Sequence, residues 1–238
     1  MIKTLIISGE NNHDWERSTP FLKELLEKSG RFEVDVDTNI NSALEDAESL
    51  AQYQLIVDEY NGPDPSAAAK SNLEAAVSSG ALGLVIVHAA NNCFDGWTAF
   101  EQMSGYVFRD GSSGHGEFHE FEVEIEDTDH PITRGLENFS TWDELYHGMT
   151  NPHNVDCHVL ASAYSSPDQL GSGNKEPMLV VNNFGKGRVF HQVLGHVWPG
   201  PPWQESYRGC SLIALEGQGF LTTTLRGCEW AATGDVAD

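Results

Sequence analysis

The sequence predicts an α/β fold in which helices cover both faces of a mostly parallel central sheet. Short runs such as GLVIV at residues 83–87 are apolar at consecutive positions, as strands buried on both faces are. Segments with helical spacing and capping residues separate these runs in the first half of the chain. Strands that alternate with helices usually pair in parallel. The length of 238 residues favours a single domain over residues 1–238.

The first ninety residues alternate strand and helix signals. The first helix is predicted over STPFLKELLEKSG, with Ser18 or Thr19 as its cap, Pro20 at its first position and Gly30 as its terminator. A second capped helix is predicted over residues 64–80, DPSAAAKSNLEAAVSSG. Four strands are predicted around these helices, at residues 3–9, 31–38, 53–62 and 81–90.

The rest of the chain has a different character. Residues 115–131, HGEFHEFEVEIEDTDHP, alternate strictly and predict a strand with His115, Glu117 and His119 on one face. TWDELYHGM at residues 141–149 is polar and predicts a loop. Three further strands are predicted at residues 156–165, 176–183 and 189–196, and two helices are predicted in the tail, broken at Gly217 and Gly219.

Composition excludes some classes of partner. The formal net charge of −23 repels nucleic-acid phosphates and anionic lipid headgroups, so neither nucleic acid nor a membrane is an expected partner. A neutral small molecule such as a carbohydrate remains compatible with this charge, and a homo-oligomer stays open. The N-terminus resembles a first strand and not a signal peptide, and the four cysteines show no CxxC pairing. We therefore expect a cytoplasmic protein.

Histidines follow three of the predicted strands. His13 follows the first strand, His88 ends the fourth and His196 ends the last. If these strands belong to one parallel sheet, their carboxyl ends share an edge and the side chains converge on one cleft. Glu144, beside His147, adds a carboxylate that can share acid and base roles with a histidine. The predicted catalytic residues are His13, His88, His196 and Glu144, although a lone histidine is more often structural.

A divalent metal ion is left open by the sequence. His115 and His119, two positions either side of Glu117, would project from the same face of a strand, and imidazole and carboxylate groups bind such metals. A polar strand end explains the same pattern equally well. No nucleotide cofactor is expected. Cys93 lies five residues beyond its strand, and an inert thiol is the favoured interpretation.

Several motifs together resemble one known family. GENNHDW, GLVIVHAA, DTDHPITRGL, DELYHG, EPMLVVNNFGKGRVFHQVLGH and GCEWAATGDV occur in this order over nearly the whole chain. They resemble the ThuA-like, or trehalose utilisation, family. The resemblance implies a flavodoxin-like, class I glutamine-amidotransferase-like three-layer sandwich with a mostly parallel central sheet.

The resemblance also bears on the reaction. In class I amidotransferases the position that corresponds to His88 holds the catalytic cysteine, and the position that corresponds to His196 holds its base. An imidazole cannot replace the thiolate as the acyl-forming nucleophile, so a glutaminase is not expected. The resemblance implies acid and base chemistry on a keto-sugar or keto-glycoside, by isomerisation, elimination or hydrolysis, with or without a metal. A non-catalytic carbohydrate-binding or accessory protein is the alternative. Residues predicted to contact the sugar are Trp15, Asn91, Tyr146 and Trp198, with Trp97 and Trp203 as further aromatic candidates.

Overall fold

The computed structural model describes residues 1–200 and 208–237, and a single sheet runs through them. Its nine strands in the described residues are β1 Ile2–Ile7, β2 Phe32–Asp37, β3 Leu55–Asp58, β4 Gly83–Val87, β5 Gly114–Ile125, β6 Phe139–His147, β7 His158–Tyr164, β8 Lys175–Phe184 and β9 Gly187–Gln192. Their order in the sheet is β2-β1-β3-β4-β9-β8-β7-β5-β6. The first half of the chain and β9 thus form one side of the sheet, and β5 to β8 form the other.

The pairing divides the sheet into two halves. From β2 through β1, β3 and β4 to β9, every pairing is parallel. From β9 through β8, β7 and β5 to β6, every pairing is antiparallel. The α/β class is correct, but the prediction of a mostly parallel sheet was wrong. Parallel neighbours need crossover helices, and the chain between β5 and β9 has no α-helix to supply them.

Helices pack on both faces of the sheet. On one face, Leu22 and Leu26 join a hydrophobic core with Phe220 and Trp230. On the other face, a second core contains residues such as Leu73 and Phe100. The two cores on opposite faces produce a three-layer arrangement. The helices are α1 Trp15–Lys28, α2 Ile40–Glu45, α3 Ala47–Leu50, α4 Ala67–Ser78, α5 Thr98–Ser104, α6 Ile213–Glu216 and α7 Gln218–Thr233.

The first helix begins earlier than its sequence predicts. Asp14 is the N-cap residue and Pro20 lies inside α1, so the predicted start at Ser18 or Thr19 was wrong. Pro20 is the sixth residue of α1 and has no backbone N–H, so the usual intrahelical hydrogen bond to the carbonyl of Glu16 is absent. The earlier start places His13 directly before the cap. The two predicted tail helices are confirmed as α6 and α7, which meet at Gly217, but the predicted break at Gly219 was wrong, because Gly219 lies inside α7.

The predicted loop at residues 141–149 is largely strand. Residues 139–147 form β6, which pairs with β5 at the edge of the sheet. Polar composition suggested a loop, but Asp143 and Glu144 are both buried, and neighbouring elements pack against the strand. Burial of its polar residues, which the sequence does not display, explains why the loop prediction failed.

Strand β5 contains an irregularity that changes which side chains share a face. His115 pairs with Tyr146, but Phe118 pairs with Glu144, so β5 uses one residue more than β6 between these two pairs. Such a bulge shifts the alternation of side chains by one position. His115 and Phe118 therefore belong to one face, whereas His119 lies on the other. None of the described helices is long and apolar enough to cross a membrane.

Candidate active site

Three strands of the parallel half bring three histidines together. His13 lies in the loop after β1, His88 follows β4 directly, and His196 lies four residues after β9. The ring centroid of His13 is 4.8 Å from that of His88 and 4.8 Å from that of His196, and the last two centroids are 5.5 Å apart. The predicted convergence of these strand ends is confirmed. What the histidines do remains a prediction.

His88 lies at a strained turn. Its φ angle is +44°, in the left-handed region that residues with a side chain rarely adopt, and a short 3-10 helix begins at the same residue. Such strain costs on the order of 1–3 kcal/mol and is concentrated at functional sites. The Nδ1 atom of His88 lies 2.7 Å from the carbonyl oxygen of Val193, and its ring stacks on Tyr146 at 4.3 Å. The turn thus presents the imidazole between β9 and β6.

The loop that carries His13 is fixed at both ends. The Nδ1 atom of His13 lies 3.0 Å from Oδ1 of Asn12. The following residue, Asp14, donates its backbone N–H to the carbonyl of Val197 at 2.7 Å. The indole of Trp198 stacks on the His13 ring, with 4.9 Å between centroids and 9° between planes. These contacts leave Nε2 of His13 facing Nδ1 of His196, 3.1 Å away.

Asp143 holds the loop that carries His196. Its buried carboxylate accepts backbone hydrogen bonds from Gly195 at 2.7 Å, His196 at 3.1 Å and Glu144 at 2.8 Å. Burial raises the pKa of Asp143 to about 7, although these hydrogen bonds oppose the shift. Asp143 therefore connects β6 to the end of β9 and positions His196.

Glu144 points from β6 toward the histidines. Its Oε1 atom accepts a hydrogen bond from Nε1 of Trp198 at 3.1 Å. Its Oε2 atom lies 3.2 Å from Nδ1 of His196 and 3.3 Å from Nδ1 of His115. The carboxylate is buried, whereas the His115 side chain is 41% exposed. Glu144 thus connects the buried histidines to a histidine that solvent can reach.

Burial keeps the three converging imidazoles neutral near pH 7. It lowers the pKa of His13 to about 4, with a further contribution from the nearby His115. It also lowers the pKa values of His88 and His196 well below the usual range, and the neighbouring histidines add to the effect. Neutral imidazoles offer a lone pair to a proton or to a metal ion.

A cavity of about 280 Å³ opens above this group. Its volume lies near the lower end of the roughly 300–1,000 Å³ usual for ligand pockets. A slightly larger cavity, of about 340 Å³, lies beside α7, but there Arg31 is paired with Glu229. The cavity above the histidines is lined by Asn12, His13, Ala89, Asn92, Phe108, Asp110, His115, Glu144, Tyr146 and Trp198.

A comparison with protein families identifies the chain's relatives. The sequence model of the ThuA family, described as trehalose utilisation, matches residues 3–200. The chain belongs to the ThuA family. No curated protein matches the sequence of this ThuA chain.

Solved structures agree with this assignment. A ThuA-like protein from Parabacteroides merdae has 33% sequence identity and a TM-score of 0.87, with 100% of this chain and 92% of that chain covered. A ThuA-like protein from Bacteroides uniformis has 21% identity and a TM-score of 0.72, with coverage of 98% and 92%. The glutaminase domain of Trypanosoma brucei CTPS, at 12% identity, covers 100% of this chain and 96% of its own, with a TM-score of 0.52. The last similarity concerns the fold alone, and it is the fold that the sequence motifs imply.

The predicted catalytic residues of this ThuA chain lie at two depths. His13 and Glu144 line the cavity. His88 and His196 lie beneath it, buried against Tyr146 and His13. The four side chains therefore lie close to one another, and their catalytic roles remain predictions.

Only some of the residues predicted to contact a sugar line the cavity. Tyr146 and Trp198 line the cavity. Asn91 is instead buried, with its amide nitrogen 3.1 Å from Nε2 of His191, and Trp97 packs against Phe100 in the core. Trp15, half-buried at the start of α1, is not among the residues that line the cavity, and Trp203 lies outside the described residues.

The predicted metal pair is not assembled. The bulge in β5 separates His115, which faces Glu144, from His119, whose ring contacts Phe121. Strict alternation in the sequence concealed this bulge. In the part of the chain that the structure describes, His13, His88 and His196 have the spacing of a metal-binding group.

Some site residues carry no signal in the sequence. Phe108 and Asp110 line the cavity from a loop between α5 and β5, and no motif singles them out. The motif DELYHG contains Asp143 next to Glu144, so the sequence draws attention to this residue. It does not predict the three backbone hydrogen bonds that Asp143 accepts. Cys93 is buried, and its Sγ atom lies 3.0 Å from the carbonyl of Tyr60. Burial raises the pKa of this thiol, consistent with the inert thiol that the sequence favours.

Proposed function

We propose that this ThuA protein acts on a keto-sugar or keto-glycoside, which it isomerises, eliminates or hydrolyses by acid and base chemistry. The family's description, trehalose utilisation, supports a carbohydrate-related role. The observation that carries the proposal is the buried carboxylate of Glu144, which lines the cavity between His115 and Trp198. A desolvated carboxylate beside an imidazole is a suitable proton-transfer pair.

The chemistry of a ketone explains why such a pair suffices. A carbonyl group acidifies the neighbouring C–H bond, so a base can take that proton and leave an enolate. In isomerisation the proton returns at another position. In elimination the enolate expels the glycosidic oxygen, which then takes up a proton.

We assign proton removal to Glu144 and proton return to His115, whose Nδ1 atom lies 3.3 Å from the carboxylate.

The lining of the cavity suits a sugar ring. Trp198 and Tyr146 present aromatic rings, which pack against the apolar faces of a pyranose. Asn12 and Asn92 offer amide groups that can exchange hydrogen bonds with hydroxyls. The volume of about 280 Å³ favours one ring bound inside and any second ring held nearer the opening. We propose a cytoplasmic reaction, since the four cysteines are unpaired and would stay reduced there.

The test follows the proton next to the ketone. Incubation with 3-keto-trehalose or a 3-keto-glucoside in D₂O, followed by NMR, should show deuterium incorporation at the carbon beside the ketone, together with isomer or aglycone formation. Absence of exchange across the panel, with and without added divalent metal, would refute the proposal. Line broadening of the sugar without exchange would instead support the carbohydrate-binding alternative.

A further inference from the structure

The three buried histidines have the spacing of a metal site. One ring nitrogen of each lies within 4.8 Å of a ring nitrogen of the other two. The closest pair, Nε2 of His13 and Nδ1 of His196, is separated by 3.1 Å. Nitrogens bound to one tetrahedral Zn²⁺ at about 2.0–2.1 Å lie about 3.4 Å apart. A hydrogen bond joins this pair, which therefore already has nearly the required separation, and the third nitrogen has to approach from within 4.8 Å.

Two of the rings are oriented as metal ligands usually are. Nδ1 of His88 faces the carbonyl of Val193, and Nδ1 of His13 faces the amide oxygen of Asn12. An oxygen at Nδ1 can only accept, so Nδ1 carries the proton and Nε2 keeps its lone pair. Metal-binding histidines are commonly held in this way, by a carbonyl or carboxylate at the second nitrogen.

Two buried nitrogens in this group have no hydrogen-bond partner. Within residues 1–200 and 208–237, nothing bonds to Nε2 of His88 or to Nε2 of His196, and both atoms are shielded from solvent. A buried polar atom without a partner lowers stability and calls for an explanation. A cation shared by the rings would give the lone pair of His88 a partner. The strained backbone of His88 is a second cost that such a role would explain.

We propose that His13, His88 and His196 bind one divalent transition-metal ion of the Zn²⁺ type, with an open coordination position toward the cavity. His13 and His88 coordinate through Nε2, and His196 contributes one ring nitrogen. Three histidines with an open fourth position are typical of catalytic zinc sites. Glu144, whose Oε2 atom lies 3.2 Å from Nδ1 of His196, supplies negative charge beside the ion.

The metal site depends on these residues alone and does not require the proposed substrate. If the keto-sugar proposal is also correct, the ion would polarise the ketone oxygen while Glu144 moves the proton. The histidines would then hold the electrophile and would not themselves be the base, which differs from the roles that the sequence predicts for them.

Metal binding can be measured with residues 1–238 and Zn²⁺ alone. After treatment with a chelator and dialysis, titration against a chromophoric zinc chelator should reveal one tight site per chain. Co²⁺ should bind with the visible absorption of a four- or five-coordinate nitrogen site. His88→Ala should weaken Zn²⁺ binding by at least about 100-fold, because changes to groups behind a ligand alone typically cost 10–100-fold.

Matched variants separate metal binding from folding. His191→Gln changes a buried histidine outside the group, and His119→Ala changes the histidine that the sequence proposed as a ligand. Both should retain the Zn²⁺ affinity of the wild type. Because His88→Ala can misfold, the Co²⁺ spectrum of the wild type and a rise in its Tm with Zn²⁺ provide a second measurement. Equal affinity in wild type and His88→Ala, or no stoichiometric site in folded wild type, would overturn the proposal.

Failure of the metal site can be distinguished from failure of the keto-sugar proposal. A chain that binds Zn²⁺ through the three histidines but leaves every keto-sugar unchanged would retain the metal site and lose the keto-sugar proposal. A chain that exchanges the proton beside the ketone but binds no Zn²⁺ in the titration would retain the keto-sugar proposal and lose the metal site.

Discussion

The two halves of the sheet supply the candidate site in different ways. The parallel half contributes His13, His88 and His196 from segments that follow its strands. The antiparallel half contributes Glu144 and Tyr146 from inside β6. Residues that follow parallel strands all lie near the carboxyl ends of those strands. Residues inside β6, the last strand of the sheet, reach the same place only if the sheet curves. The parallel half therefore determines where the site lies, and the antiparallel half determines which groups close over it.

The largest expected effect tests whether β6 contributes chemistry or only shape. Glu144→Gln keeps the size of the side chain and one acceptor oxygen but removes the base. We expect kcat/KM on a keto-sugar substrate to fall by roughly 10²–10⁴-fold, the usual contribution of a positioned acid or base. Glu122→Gln, an exposed position on β5, is the control and should match the wild type. Similar rates for Glu144→Gln and wild type would show that Glu144 is not the base.

A second prediction concerns the connection between the halves. Asp143→Asn replaces one acceptor oxygen with an N–H donor, so at least one backbone N–H among Gly195, His196 and Glu144 loses its partner. We expect the free energy of unfolding to fall by about 1–3 kcal/mol, the cost of an unsatisfied buried group. Urea unfolding measures this change, and the exposed Asp156→Asn serves as control. A variant as stable as the wild type would show that Asp143 does not hold the β9 loop.

The bulge in β5 gives a third prediction. A Cβ atom on Gly116 would lie 2.5 Å from the carbonyl oxygen of Gln169, a backbone group that cannot easily yield. Gly116→Ala should therefore destabilise the protein by roughly 1–3 kcal/mol, as overpacking usually does. At Gly217, the N-cap of α7, a Cβ would meet Thr141 at 3.8 Å, an ordinary contact, so Gly217→Ala should lower the Tm less, through the poorer capping by alanine alone. If the two variants unfold at the same temperature, the close approach at the bulge is not a constraint.

A buried acid of the parallel half gives a prediction about pH. Glu59 follows β3 and accepts a hydrogen bond from Thr19 at 2.6 Å, and burial raises its pKa to about 7. The unfolded pKa is about 4.3. The native state thus binds more protons between these values, and the contribution of Glu59 to stability falls as pH rises from about 4 to about 7.

Glu59→Gln removes this dependence on pH. Measured by urea unfolding, the stability of Glu59→Gln relative to wild type should improve between pH 5 and pH 8. Glu16→Gln, at an exposed position of α1, should show no such change. A relative stability of Glu59→Gln that is the same at both pH values would contradict the raised pKa.

The sequence predicts the parallel half well because its signals are local. Apolar runs mark β1, β3 and β4, and the strand pattern alone is enough to place the histidines that follow β1 and β4 at one edge of the sheet. The antiparallel half depends on long-range contacts. Neither the burial of Asp143 nor the register shift before Phe118 leaves a local pattern, so β6 resembled a loop and His115 resembled a partner of His119.

The site shows the same division. The motif DELYHG identified Glu144, and the strand ends identified the histidines, but no spacing rule could select Tyr146 and Trp198 over Trp15 and Asn91. The stacking of Tyr146 on His88 and of Trp198 on His13 requires β6 and the segment after β9 to approach each other. That approach is a property of the folded sheet and not of any short segment.

The acidic lining of the cavity affects which ligands can enter it, according to their charge. Asp110 and Glu144 contribute carboxylates, and among the described lining residues there is no lysine or arginine. A phosphorylated sugar entering this cavity would meet repulsion from these two carboxylates, and the formal net charge of −23 on the chain would add to it. Uncharged glycosides meet no such barrier. If the protein acts on a sugar as we propose, we expect the uncharged form to bind more tightly than the phosphorylated form.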